Sequence, residues 1–179
     1  MLDAPVSGSS AGAIDGTLTI MVGGETDVFE SHLDLLNVLG ANVIHCGPVG
    51  MGETVKLANQ VSAGVSMVGV AEGFAFGLSK GVDPKVLFEV MSKSSGNCWA
   101  LETRCPVPGV LANSPASNDF AAGFMTDLMH KDLGLAMTAA SNDKLPLHMA
   151  ALARERYAAA SRAGYGHTDF SAVAKLLEE

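Results

Sequence analysis

Apolar residues along this chain change their spacing near residue 47. Before it they fall in short bursts. Thr17 to Gly24 (TLTIMVGG) is β-branched and closes on two glycines, and Ala41 to Gly47 (ANVIHCG) is a second short run ending on glycine. Both predict strands. Between them, Val28, Leu35, Leu36 and Leu39 lie on one stripe of a helix over Thr26 to Leu39, with Thr26 as its cap and Gly40 as its end. The first 47 residues therefore predict a β-α-β fragment at the end of a sheet.

Past Gly47 the period becomes helical, with windows over residues 50–80, 84–92, 124–141, 145–163 and 168–177. Asp83 and Pro84 open the second window as cap and first-turn residue, while Gly81 and Gly164 close helices. Cys105 to Phe120 holds three prolines and no periodicity, which predicts a long ordered loop of the kind that often carries function. The pattern divides the chain into residues 1–47 and 48–179.

Val61 to Ser79 is apolar enough to resemble a membrane span, but Glu72 sits near its middle and alanine and glycine outnumber leucine. It predicts a buried core helix, and no membrane partner. Gly69, Gly73 and Gly77 recur every four residues and leave a bare face on which another helix can pack closely.

Composition narrows the function. Eleven Lys and Arg against nineteen Asp and Glu give a formal charge of −8, which argues against nucleic acid and acidic lipid as partners and leaves small molecules and proteins. Cys46, Cys98 and Cys105 form no metal-binding pair, and the five histidines show no helical i, i+4 spacing, so no metal site is expected. The odd thiol count fits a reducing compartment, and the N-terminus shows no targeting pattern. Gly77, Ser79 and Gly81 match G-x-S-x-G, but on a helical stretch with no strand before the serine, so Gly81 reads as a helix end and not as part of a hydrolase elbow.

The stretch GPVGMGETVKLANQ, Gly47 to Gln60, carries the main chemical signal. Lys56, Asn59 and Gln60 stand at i, i+3 and i+4 and share one helix face. A solvated face at a helix start has the same spacing. Glycines at 47, 50 and 52 let a ligand or another backbone approach the helix mouth, where the dipole and open N–H groups favour an anion. A lysine there can act as acid and base on an alcohol if burial or a second cation lowers its pKa, and Lys131 is a candidate for that cation.

Four stretches resemble the β-hydroxyacid dehydrogenase family: DAPVSGSSAGAIDGTLTIMVGG, GPVGMGETVKLANQ, SSGNCWALETRCPVPGV and GFMTDLMHKDLGLA. The resemblance implies a mainly α protein: the all-helical C-terminal domain of the 6-phosphogluconate dehydrogenase type, used for substrate binding and dimerisation, behind a short β-α-β remnant of a Rossmann sheet. It implies NAD-dependent oxidation of a short hydroxyacid, 3-hydroxyisobutyrate to methylmalonate semialdehyde in valine breakdown. Reduction of tartronate semialdehyde is the alternative within the family, and a non-catalytic oligomerisation module is the alternative outside it.

By the same resemblance Lys56 is the catalytic lysine, and Ser7 and Gly8 hold the substrate carboxylate. Asn59 and Gln60 offer the helix amide, Trp99 and Phe124 line the substrate side, and Lys131 approaches the cofactor. The loop glycines would then bring substrate against the helix start. A homodimer through the helical domain is implied, in the mitochondrial matrix of a eukaryote or the cytoplasm of a bacterium.

Two features depart from the family. Ser9 stands where a second glycine usually follows Ser-Gly, and Gln60 where relatives carry asparagine. No G-x-G-x-x-G occurs, although the family's dinucleotide domain carries that fingerprint. The expectation is a C-terminal part of such an enzyme, poorly active or inactive alone.

Overall fold

The computed structural model describes residues 1–177. Two compact units are present, Met1–Asn59 and the residues from Gln60 onward.

The first unit is built on a three-stranded sheet of β1 (Val6–Ser7), β2 (Thr19–Gly23) and β3 (Asn42–Gly47), in that spatial order. β2 and β3 run parallel with Ile20 opposite Val43, and β1 pairs antiparallel to β2 with Val6 opposite Ile20. The two β-branched runs thus form strands where their composition places them. β1 is two residues long, too short to show alternation in the sequence. A short helix α1 (Ser9–Ile14) follows it, entered through Gly8 at φ 131°.

The helix expected over Thr26 to Leu39 is instead two, α2 (Thr26–Ser31) and α3 (Leu33–Leu39), parted at His32. The Ser31 hydroxyl lies 2.9 Å and His32 Nδ1 2.8 Å from the Val28 carbonyl, so side chains compete for a backbone acceptor of the helix. Thr26 is not the cap. Glu25 occupies the cap position, and no side chain bonds back. Leu36 and Phe29 pack with Ile20, Val22 and Val43, whereas Leu35 and Leu39 of the expected stripe are exposed.

Helix α4 (Met51–Ser79) begins in the first unit and continues into the second. The second unit adds α5 (Pro84–Ser92), α6 (Trp99–Arg104), α7 (Thr126–Asn142) and α8 (His148–Ala160), then a π turn at Ser161–Tyr165 and a 3₁₀ segment at Phe170–Leu177. α5 starts as its sequence predicts, with the Asp83 carboxylate accepting from Lys85 N at 2.7 Å and Pro84 in the first turn. α6 has no counterpart among the expected windows because six residues are too few to show a period. The segment between α6 and α7 is ordered by Ser114, Ser117 and Asn118, whose side chains bond to the carbonyls of Leu111, Ala112 and Ser114.

Met67, Ala71, Met129, Leu133, Tyr157, Phe170 and Val173 form the main core, joining α4, α7, α8 and the 3₁₀ segment. Alanines at 150 and 153 let α8 lie close in the same layer. α4 is long and apolar enough to cross a membrane by length and composition. A third of its apolar window is buried, less than a core helix requires, and Phe76 is exposed; on its buried side Gln60 donates to Asp132 at 2.9 Å, and the Tyr157 hydroxyl donates to the Gly64 carbonyl at 2.8 Å. The bare glycine face is partly filled from within the chain. Leu87 of α5 would lie 2.6 Å from a Cβ at Gly77, and Met91 3.5 Å from one at Gly73, while Gly69 faces open space. Ser79 Oγ donates to the Phe76 carbonyl at 2.7 Å and Gly81 ends the helix with φ 81°, so the G-x-S-x-G match is a helix terminus.

Candidate active site

Asp3 organises the mouth of α4. It pairs with Gly23 through both backbone groups, N to O at 3.0 Å and O from N at 2.8 Å, and extends the sheet edge next to the end of β2. Its carboxylate accepts from Gly50 N at 2.6 Å and Glu53 N at 3.0 Å, the open donors at the helix start. Donation from Gly50 is the main cause holding the Asp3 carboxyl below its ordinary range. A negative charge at this end also meets the favourable pole of the helix dipole.

Of the two approaches the glycine-rich loop allows, a ligand or another backbone, the structure shows the backbone. A Cβ at Gly52 would collide with the Met21 carbonyl and lie 2.7 Å from the Asp3 carboxylate, and a Cβ at Gly23 would strike the same carboxylate. Gly52 and Gly23 admit strand β2 and the chain's own acid to the helix mouth. The anion at this helix start is the Asp3 carboxylate.

Within the first two turns of α4, Lys56 Nζ donates to the Val6 carbonyl at 2.6 Å. This bond brings the amine to the end of β1, where Ser7 and Gly8 stand, so three of the sequence-predicted site residues gather in the first unit. Asn59, also in that unit, is exposed.

The other predicted residues belong to the second unit. Gln60 is 5% exposed, and its amide nitrogen bonds Asp132. Of the two helix amides, Asn59 is therefore the one open to solvent. Lys131 lies 3.0 Å from the other Asp132 oxygen, its side chain 59% exposed. Trp99, at the first position of α6, is 54% exposed and is no core residue. Phe124 is partly buried and meets Phe170 edge-on at 6.0 Å.

Asp132, Arg104 and Asp169 escaped the sequence reading. Asp132 bridges Gln60 and Lys131. Asp169 is fully buried and pairs with Arg104, whose guanidinium lies 5.4 Å from the centre of the Trp99 ring. The partners stand 65 residues apart, and no local pattern marks them. No group of three or more metal-ligating side chains occurs among the described residues.

The mouth of α4, beside the carboxyl ends of parallel β2 and β3, is filled by the Asp3 carboxylate, so the pyrophosphate of NAD does not fit there. In the second unit Lys131 is an exposed cation.

Comparison with known families identifies the family of the chain. Residues 50–177 match the family described as "NAD-binding of NADP-dependent 3-hydroxyisobutyrate dehydrogenase", and residues 1–47 match the "NAD binding domain of 6-phosphogluconate dehydrogenase". The chain belongs to the 3-hydroxyisobutyrate dehydrogenase type of the β-hydroxyacid dehydrogenase family. It is 47% identical over 178 residues to an NAD-dependent L-serine dehydrogenase of Pseudomonas aeruginosa, covering 99% of this chain and 60% of that protein. It is 44% identical to mitochondrial 3-hydroxyisobutyrate dehydrogenase of Mus musculus, covering 99% of this chain and 53% of the mouse protein. A solved structure of 3-hydroxyisobutyrate dehydrogenase with L-serine, from Mycobacterium tuberculosis, superposes with a TM-score of 0.95 at 40% identity, over 99% of this chain and 61% of that one. The chain thus spans between half and two thirds of the length of these relatives.

Proposed function

We propose that these residues belong to an NAD-dependent oxidoreductase that converts a short β-hydroxyacid, 3-hydroxyisobutyrate in the first instance, to its semialdehyde as in valine breakdown. The supporting observation is the bond from Lys56 to the Val6 carbonyl, which sets an amine beside Ser7 and Gly8. Lys56 takes the proton of the substrate hydroxyl. Ser7 and Gly8 hold the substrate carboxylate through the hydroxyl and backbone N–H. Asn59 is the amide that steadies the hydroxyl, and Gln60 supports the same helix through Asp132. Trp99 and Phe124 face the apolar part of the substrate, and Lys131 serves the cofactor. Bound NAD supplies the hydride acceptor.

In this reading residues 1–47 are the end of a dinucleotide-binding sheet. Residues 48–179 are a helical substrate and dimerisation domain of the 6-phosphogluconate dehydrogenase type, and the protein is a homodimer. Its location is the mitochondrial matrix in a eukaryote and the cytoplasm in a bacterium.

L-Serine is the second substrate reading. It is itself a β-hydroxyacid, and it appears in the names of both the Pseudomonas relative and the Mycobacterium structure. The test is NADH formation from 3-hydroxyisobutyrate and from L-serine, in the gene product carrying these residues, with and without Lys56→Ala. Turnover that Lys56→Ala abolishes supports the enzyme reading, and the ratio of kcat/KM values ranks the two acids. Absence of turnover on both would favour a non-catalytic helical module.

A further inference from the structure

We propose that the buried Arg104–Asp169 pair is a positioning device that fixes Trp99 and the Phe124 backbone in place, a role that rests on the reading of those two aromatics as the substrate side. Asp169 distributes its carboxylate over two elements and a loop. One oxygen takes the Arg104 guanidinium and the Phe124 N–H at 3.1 Å, and the other takes the Ser171 N–H at 3.1 Å and hydroxyl at 2.8 Å. The guanidinium lies between Trp99, 5.4 Å from its carbon, and Phe170, 5.8 Å away. Gly123 makes room, since a Cβ there would lie 2.6 Å from Arg104 Nη1.

Stability alone does not account for this arrangement. Arg104 Nε is buried with no hydrogen-bond partner, and a buried ion pair gains little over an apolar pair of the same shape. What an apolar pair cannot provide is a flat cation against an exposed indole, anchored at its far end to the residue that also holds the Phe124 N–H. Trp99 is 54% exposed and would otherwise sample several rotamers. Arg104 restricts it, and Asp169 restricts Arg104.

Trp99 is the single tryptophan of these 179 residues, so within them tryptophan fluorescence reports this place. The experiment compares acrylamide quenching and fluorescence anisotropy in the wild type, in Arg104→Lys and in the double variant Arg104→Met with Asp169→Asn. Lysine keeps the charge and loses the plane. The double variant removes both charges together, so no unpaired ion is left to unfold the chain. Far-UV circular dichroism confirms that each variant is folded.

The expected result is a rise of about two- to fivefold in the unstacked population of Trp99, the factor an exposed cation–π contact carries. Quenching should increase and anisotropy fall. Unchanged quenching and anisotropy in folded variants would overturn the proposal. Titrating 3-hydroxyisobutyrate into the wild type separates this from the substrate reading. A Trp99 signal that moves with the variants but never with the acid leaves the positioning role standing and counts against Trp99 as a substrate-side residue.

Discussion

Lys56 and Val6, 50 residues apart in sequence, are joined by an amine-to-carbonyl bond of 2.6 Å. The bond ties the helix bearing the amine to the strand that ends at Ser7. If the lysine is there for proton transfer, Lys56→Met should lower turnover by about 10²- to 10⁴-fold. The same substitution should cost only about 1 kcal/mol of stability, the net worth of one partly exposed hydrogen bond. NADH formation and urea unfolding measured on the same preparations separate the effects. Normal turnover per folded molecule would reduce Lys56 to a structural tie.

Asp3 makes a prediction with a pH dependence. Its folded pKa is depressed, chiefly by the Gly50 N–H, so its contribution to stability is complete above the unfolded value of about 3.9 and fades as pH falls through the folded value. Asp3→Ala should lose about 1 kcal/mol near neutrality, as other helix caps do. Asp3→Asn should lose less, because its carbonyl oxygen can still accept from Gly50 or Glu53. The gap between wild type and Asp3→Asn should close in strong acid, which urea midpoints across the pH range would show. A gap that persists in acid would mean that the charge contributes nothing.

Two glycines of the same helix should respond in opposite directions to alanine. At Gly52 the added methyl meets the Met21 carbonyl, a backbone group that cannot swing aside, so Gly52→Ala should cost about 2–3 kcal/mol. Gly69 lies in regular helix with nothing near its missing Cβ, and Gly69→Ala should stabilise the chain by about 0.5–1 kcal/mol. Thermal melts at low concentration test both. If Gly69→Ala instead destabilises the protein only at high concentration, a second copy packs on that face.

The features legible in the sequence were those with local causes. The β-branched runs of β2 and β3, the Asp83 and Pro84 start of α5 and the glycine end of α4 all appear where their residues place them. Features set by distant partners leave no local pattern. The spacing of Gly47, Gly50 and Gly52 leaves open whether a ligand or another backbone approaches, because the acid bonded to Gly50 stands 47 residues away. The bond from Gln60 to Asp132 joins residues 72 positions apart. The break at His32 was local in origin but came from side chains competing for one carbonyl, a balance that apolar periodicity does not register. The Ser7–Gly8 and Lys56 motifs are visible as residue types, while the pairing of Arg104 with Asp169 and its approach to Trp99 require the tertiary structure.

Tyr157 gives the last prediction, at the alkaline end. Its hydroxyl is wholly buried and donates to the Gly64 carbonyl at 2.8 Å, tying α8 to α4. Burial first and the Asp169 charge second push its pKa well above 10. A raised folded pKa means that the unfolded chain loses this proton first, so stability is unaffected below about pH 10 and falls as pH rises beyond it. Tyr157→Phe should cost about 1 kcal/mol near neutrality through the lost bond. It should also flatten the alkaline decline, because phenylalanine has no proton to release on unfolding. Urea midpoints for both proteins from neutrality to strong alkali provide the comparison, with other titrating groups cancelling between them. An identical alkaline slope in the two would place the origin of that decline elsewhere and show that the Tyr157 hydroxyl ionises as readily folded as unfolded.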